Sequence, residues 1–181
     1  MKELSMHILD IVMNSIKARA SLIELHVEDC IKDNYIKFII KDNGIGMSRE
    51  MTKLVTDPFF TTRTTRKVGL GISILKESCE RCNGFLHIES KLMEGTLVEC
   101  SFERDNIDRA PLGNMGDTIL TIINMLDNCE IIYTHMTDIG SFRLSTVYIK
   151  EILEGVSIKN NEILLWIREF VNENIQCISK I

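Results

Sequence analysis

Three polar residues on the first predicted helix could take part in binding a charged ligand. Asp10, Asn14 and Lys17 stand at positions i, i+4 and i+7, and most of the residues around them are apolar. Side chains at this spacing share one face of a helix, so they can line a cleft together. An amide oxygen suits Mg²⁺, which requires hard oxygen donors, and a lysine can meet a phosphate charge. The alternative is a polar helix face that contacts only water.

A second group of such residues begins directly after an apolar strand. The carboxylate of Asp42 could accept a hydrogen bond from an exocyclic amine such as the 6-amino group of adenine, and Gly44 and Gly46 let a backbone pass close to a flat base. Farther along, Gly69 and Gly71 open a helix whose free N–H groups would suit a triphosphate. Each motif alone also fits an ordinary turn or helix start. Because neither G-x-x-x-x-G-K-[ST] nor G-x-G-x-x-G is present, the nucleotide prediction depends on their combination.

Alternating helices and strands must position these residues. Apolar residues at three- and four-residue steps predict a first helix over 4–18, and alternation of apolar and polar residues predicts a half-buried sheet. The glycines within 42–46 end the second predicted strand. The segment 57–67 is rich in threonine and has no apolar periodicity, which predicts a mobile loop. The other elements predicted for this half are strands over 22–28, 35–41, 85–90 and 96–102, and helices over 48–55 and 69–82.

The composition predicts a folded cytoplasmic protein with one main core. The chain has 181 residues, of which 45% are hydrophobic and 26% charged, and its net charge of −5 argues against a dedicated nucleic-acid binder. It has no hydrophobic signal-peptide region and no run of roughly 18 apolar residues, so we expect neither secretion nor membrane association. Its six cysteines are then expected to be free thiols. Cys79 and Cys82 form a C-x-x-C without a second pair, which disfavours zinc.

A polar segment over 103–112 indicates a module boundary. We therefore predict one domain over 1–104 and a second over 105–181. The second is expected to contain a helix over 114–127, a strand pair around 138–140, and helices over 146–154 and 161–174. It carries no recognisable chemical motif.

In order and spacing, the polar segments resemble the N box, first glycine box, F box, second glycine box and final G-T element of the GHKL (Bergerat-fold) ATPase superfamily. The resemblance covers about residues 3 to 103. The phrase Asp57-Pro58-Phe59-Phe60-Thr61-Thr62-Arg63, followed by Gly69-Leu70-Gly71, is specific to histidine-kinase-like members.

This resemblance implies a two-layer α/β sandwich, with a mixed sheet packed on helices and a small α+β C-terminal extension, that binds ATP and Mg²⁺ beneath a lid over 47–68. By position, Asn14 would bind Mg²⁺, and Asp42 and Thr96 would recognise adenine. Further residues implied in nucleotide binding are Lys17, Gly44, Gly46, Met47, Phe60, Thr61, Thr62, Arg63, Arg66, Lys67, Gly69, Leu70 and Gly71.

Two departures from the family pattern bear on activity. Histidine kinases carry a preceding helix pair with the phosphoacceptor histidine, whereas here the ATP-binding motif begins within fifteen residues of Met1, and the neighbours of His7 do not resemble a phosphoacceptor box. Asp10 occupies the position where hydrolytic relatives carry a glutamate that activates water. It could act as the general base, or it could merely hydrogen-bond the Mg²⁺ shell.

Three functions remain open from the sequence. The first is a regulatory, kinase-like protein that phosphorylates or regulates a partner in trans; the second is a slow ATPase that acts as a conformational switch; the third is a non-catalytic ATP-binding adaptor. The whole chain is similar to small ATP-binding proteins of anaerobic bacteria whose genes accompany iron hydrogenase or NADH-oxidising subunits, which implies a redox- or hydrogenase-related protein partner. The apolar residues of the second module would pack its own core or form a homodimer face.

Overall fold

The computed structural model of the protein describes residues 2–55 and 70–179. In these residues, the chain forms six helices and six strands, and the strands come in three consecutive pairs separated by helices. Their bounds are α1 Leu4–Lys17, β1 Leu22–Cys30, β2 Tyr35–Asp42, α2 Arg49–Leu54, α3 Leu70–Arg81, β3 Leu86–Lys91, β4 Gly95–Glu103, α4 Met115–Met125, β5 Glu130–Thr137, β6 Ser141–Ser145, α5 Thr146–Ile152 and α6 Asn161–Ser179.

The strands form one mixed sheet in the order β3-β4-β2-β1-β5-β6. The β1–β5 pair is parallel, and the other neighbours are antiparallel. Along β1, Ile23, Leu25 and Val27 are buried, while Glu24 is exposed on the opposite face. The predicted alternation is therefore confirmed, because side chains at every second position of a strand share one face.

Helices cover the apolar face of this sheet. Helix α1 packs on β2, α3 on β3 and β4, and α6 on β5 and β6, while α4 contacts both α1 and α6. The buried side chains form a continuous core, in which the rings of Phe38 and Phe102 lie 6.1 Å apart. The predicted α/β class, with a mixed sheet packed against helices in two layers, is confirmed.

Residues on both sides of the predicted module boundary share the sheet. Strand β5 pairs with β1 from the Leu22–Glu130 pair to the Asp29–Thr137 pair, and β6 forms the edge. The backbone N–H of Leu4 also donates to the carbonyl of Pro111 (2.9 Å). The expected helices and strand pair are present in the second half, whereas the division into 1–104 and 105–181 stays a prediction.

The local signals for element ends agree closely with the observed bounds. Ser48 caps α2, and its Oγ accepts from the Met51 N–H at 3.3 Å. Asn83, at the end of α3, adopts a φ of 51°, the left-handed conformation expected for a helix stop. The last helix, α6, is longer than predicted and ends at Ser179.

Candidate functional site

A buried carboxylate lies at the end of β2. Asp42 is only 7% exposed. Its Oδ2 accepts from the hydroxyl of Ser15 on α1 at 2.7 Å, and its Oδ1 accepts from the backbone N–H of Gly44 at 2.9 Å. A carboxylate has about four lone-pair positions, so these two bonds fix its orientation and leave acceptor capacity for a ligand.

The sheet register places two hydroxyl side chains in line with this carboxylate. Thr96 on β4 is the cross-strand partner of Asp42 on one side and of Ser90 on the other. Cross-strand partners share a face of the sheet, so the three side chains form a row. On β1, the next position in the same row is the fully buried Ile23. The row therefore marks the place where the apolar core ends and a polar site begins.

The loop after β2 is held tightly between two other parts of the chain. The N–H of Ile45 donates to the carbonyl of Ala18 at 2.9 Å, and the N–H of Met93 donates to the carbonyl of Ile45 at 2.8 Å. A Cβ at Gly44 would lie 2.7 Å from Ala18 O, and a Cβ at Gly46, where φ is +61°, would lie 2.0 Å from the carbonyl oxygen of Lys91. In this structure, the neighbouring backbone leaves no room for a side chain at either position, which explains why both residues are glycine.

Ser90 connects this loop to β4. Its Oγ accepts from the N–H of Met47 at 2.8 Å and donates to the carbonyl of Gly95 at 3.0 Å. The hydroxyl of Thr96 lies 2.8 Å from the same Oγ. The predicted site residues Met47 and Thr96 are thus joined through a serine that the motif analysis did not select.

The polar stripe of α1 lies beside this loop. Asn14 and Lys17 are exposed on the last turn of the helix, next to Ala18, whose carbonyl binds the loop. The remaining member, Asp10, is exposed one turn earlier, and its Oδ2 would lie 3.2 Å from a Cβ placed at Gly71. The structure therefore brings Asp10 to the start of α3, where the sequence predicts phosphate binding.

Several predicted site residues cannot be placed. Phe60, Thr61, Thr62, Arg63, Arg66, Lys67 and Gly69 lie outside the described residues, as does the side chain of Leu70. Their roles, and the lid over 47–68 to which most of them were assigned, stay predictions.

Sequence reasoning missed three residues that shape the site. Ser15 and Ser90 have been described above, and the third is Asn43. Its Oδ1 accepts from the N–H groups of Ser21 and Leu22, both at 2.9 Å, and so ties the loop to the start of β1. The available signal for Ser15 was a polar residue at the three- and four-residue spacing that predicts the buried face of α1. Asn43 directly follows Asp42 within the glycine-containing segment, whereas no comparable local signal points to Ser90.

The buried histidines are neutral near pH 7. Burial lowers the pKa of His7 and of His135 to about 4 in each case. His7 is 2% exposed and lies on the buried face of α1, as expected for a histidine packed beside the core.

The described residues contain neither a cluster of metal ligands nor a membrane-spanning helix. Within 2–55 and 70–179, no three His, Cys, Asp or Glu side chains converge as a metal-binding group. None of the helices in these ranges combines the length and apolar character needed to cross a bilayer.

Comparison with known proteins points to one family. Residues 2–106 match the family described as "Histidine kinase-, DNA gyrase B-, and HSP90-like ATPase". The chain is 31% identical over 86 residues to the sensor kinase CckA of Brucella abortus, a match that covers 47% of this chain and 9% of that protein. It is 32% identical over 95 residues to an NtrY-like sensor histidine kinase of Rickettsia conorii, with 52% and 15% covered. The chain thus spans far less than two thirds of the length of either relative.

One solved structure extends the likeness beyond the matched family segment. The N-terminal domain of a DNA repair protein has a TM-score of 0.58 and 17% identity, and the match covers 81% of this chain and 53% of that one. At this identity the likeness concerns the fold alone. Because it covers more of the chain than residues 2–106, it includes part of the second half.

Proposed function

The chain belongs to the family of histidine kinase-, DNA gyrase B- and HSP90-like ATPases, and on this premise we propose that it binds Mg·ATP at the Asp42 end of the sheet and phosphorylates or regulates a partner protein in trans. The observation that carries the proposal is the Asp42 carboxylate, buried and oriented by Ser15 and Gly44. A fixed acceptor of this kind suits an exocyclic amine such as that of adenine.

The residues around Asp42 fit the other parts of the nucleotide. Thr96 would meet the base beside Asp42. Asn14 would supply an oxygen to Mg²⁺, an ion that takes only one or two protein ligands when phosphates and waters complete its shell. Lys17 would neutralise phosphate charge, and the positive end of the α3 dipole would favour phosphate oxygens at the start of that helix.

A protein acceptor in trans is consistent with phosphoryl-transfer chemistry. Such transfer depends mainly on positioning and charge stabilisation, so the acceptor group can come from another molecule. The histidine nearest these residues in sequence, His7, is buried and therefore poorly placed to receive a phosphoryl group. The redox- or hydrogenase-related identity of the partner, a homodimer and the cytoplasmic location stay predictions.

Slow ATP hydrolysis is a second candidate because of the position of Asp10. Its carboxylate lies at the start of α3, close to Gly71, so an attacking water near the phosphates could fall within its reach. If Asp10 is the base, Asp10→Asn should abolish phosphate release while leaving ATP binding intact. Release from the variant at the wild-type rate would exclude this role.

Calorimetric titration with a non-hydrolysable ATP analogue, with and without Mg²⁺, tests the proposal. We expect saturable binding that Mg²⁺ strengthens, and we expect Asn14→Ala to remove most of the Mg²⁺-dependent gain. Asn124→Ala, at an exposed asparagine on α4, is the matched control and should behave as the wild type. Absence of binding by the folded wild-type protein would refute the proposal.

The product of the reaction separates the candidate functions. Transfer of labelled γ-phosphate to a protein partner would support the kinase, and phosphate release above background without a partner would support the ATPase. Binding that yields neither product would instead favour the adaptor.

A further inference from the structure

The hydroxyl of Ser90 connects three other groups of the candidate site described above. It lies within hydrogen-bond distance of the Met47 N–H (2.8 Å), the Gly95 carbonyl (3.0 Å) and the Thr96 hydroxyl (2.8 Å). Ser90 is only partly exposed and lies on β3, next to Thr96 in the cross-strand row that leads to Asp42.

A count of protons shows how these contacts can be satisfied together. A serine hydroxyl has one proton to donate and two lone pairs that accept. The Met47 N–H can only donate, so it takes one lone pair, and the Gly95 carbonyl can only accept, so it takes the proton. The remaining lone pair can then accept the proton of Thr96, and in this arrangement all three contacts are hydrogen bonds. In the alternative, where Ser90 donates to Thr96, the Gly95 carbonyl loses the Ser90 proton.

This arrangement determines what Thr96 offers a ligand. Once its proton is given to Ser90, its oxygen presents only lone pairs. The neighbouring Asp42 is likewise an acceptor, because a carboxylate has no proton to give. A base at this end of the sheet therefore faces two acceptors side by side.

We propose that Ser90 is a positioning residue that makes Thr96 a hydrogen-bond acceptor and so selects purine nucleotides with a 6-amino group over those with a 6-oxo group. The inference rests on the proposed function, in which the base of ATP lies beside Asp42 and Thr96. A 6-amino group has two protons, one for each of these acceptors. A 6-oxo base has a single donor on this edge, its N1–H, and brings its 6-oxygen toward the second acceptor, which leaves polar groups unpaired.

The test compares ADP with inosine diphosphate, which carries a 6-oxo group in place of the amine. Calorimetry gives the ratio of the two dissociation constants for each variant, and diphosphates avoid consumption of the γ-phosphate. The wild type should bind ADP more tightly. Ser90→Ala releases the Thr96 proton, which can then donate to the 6-oxo group, so the ratio should fall about fivefold to tenfold.

The ratio separates this role from a merely structural one. Loss of the Met47 contact would weaken both nucleotides alike, whereas a change in Thr96 alters their relative affinity. Ser90→Thr keeps the hydroxyl and should retain the wild-type ratio. Ser101→Ala, at a half-buried serine near the far end of β4, is the control for serine removal and should also retain it.

The possible outcomes are distinct. A ratio in Ser90→Ala within twofold of the wild type would overturn the inference, as would a wild-type protein that binds both nucleotides equally. If Ser90→Ala does not fold, Thr96→Val removes the acceptor itself and should lower the ratio, so an unchanged ratio there would also overturn it. Failure of the folded wild type to bind ADP would refute the proposed function and this inference together.

Discussion

Replacement of Asp42 by asparagine would test the site where its geometry is best defined. The carboxylate accepts from Ser15 Oγ at 2.7 Å and from the Gly44 N–H at 2.9 Å. An asparagine of nearly the same shape has one acceptor oxygen and one NH₂ donor. If its oxygen faces Gly44, its NH₂ faces Ser15, whose proton can turn to the carbonyl of Ile11, 3.4 Å away. We therefore expect Asp42→Asn to fold.

The same substitution should strongly weaken ATP binding. A hydrogen bond to a charged acceptor contributes about 1.5–3 kcal/mol, so its loss should raise the dissociation constant about 10- to 150-fold. Calorimetry with a non-hydrolysable ATP analogue measures the change, and circular dichroism during heating checks the fold. Asp108→Asn, at an exposed aspartate outside the site, is the matched control and should bind as the wild type. A folded Asp42→Asn protein that binds within threefold of wild type would refute the assignment of Asp42 as the base acceptor.

Two further predictions concern stability. Gly46→Ala should lower the melting temperature by roughly 6 °C or more, because the added Cβ would lie 2.0 Å from the carbonyl oxygen of Lys91. Gly155→Ala, at a positive-φ glycine with no atom within 4 Å of the new Cβ, should cost only about 2–4 °C, and equal losses would argue against the predicted clash. The second prediction concerns pH: the folded-state pKa of His7 and of His135 is lowered to about 4, so unfolded chains bind more protons between pH 6.5 and 4. Stability should therefore fall by about 1–2 kcal/mol per histidine from pH 7 to pH 5 in urea titrations, and His135→Asn should reduce that loss; an unchanged loss would contradict the prediction.

The second half of the chain takes part in the same sheet as the family-matched segment. Strand β5 lies beside β1 in parallel, and the Glu130 N–H donates to the carbonyl of Ser21 at 2.9 Å, close to the loop that follows Asp42. Asp42 also contributes, after burial and Glu130, to raising the pKa of the Cys129 thiol to about 11. Residues of the second half thus reach the neighbourhood of the candidate site, although they contain none of the motifs on which the site was predicted.

Most elements could be predicted because their signals are local. The three- and four-residue apolar steps of α1 and the alternation along β1 depend only on neighbouring residues, and the structure confirms both. The same holds for the Ser48 cap and for the strand pair around 138–140. The order of the strands was not predictable in this way, because the parallel pairing of β1 with β5 joins residues about a hundred positions apart.

For the site, the sequence alone was enough to identify the residue types that could bind a nucleotide, and the family of the chain. Asp42 is an acceptor and its neighbouring glycines permit close approach in any structure, so their chemistry could be inferred from their spacing. Only the tertiary structure decided which neighbouring side chains fix the site residues in position. Ser15 reaches Asp42 only because α1 packs on β2, and Ser90 reaches Thr96 and Met47 only because β3 and β4 pair in one register. Hydrogen bonds between elements depend on that packing and register, which no local pattern of residues encodes.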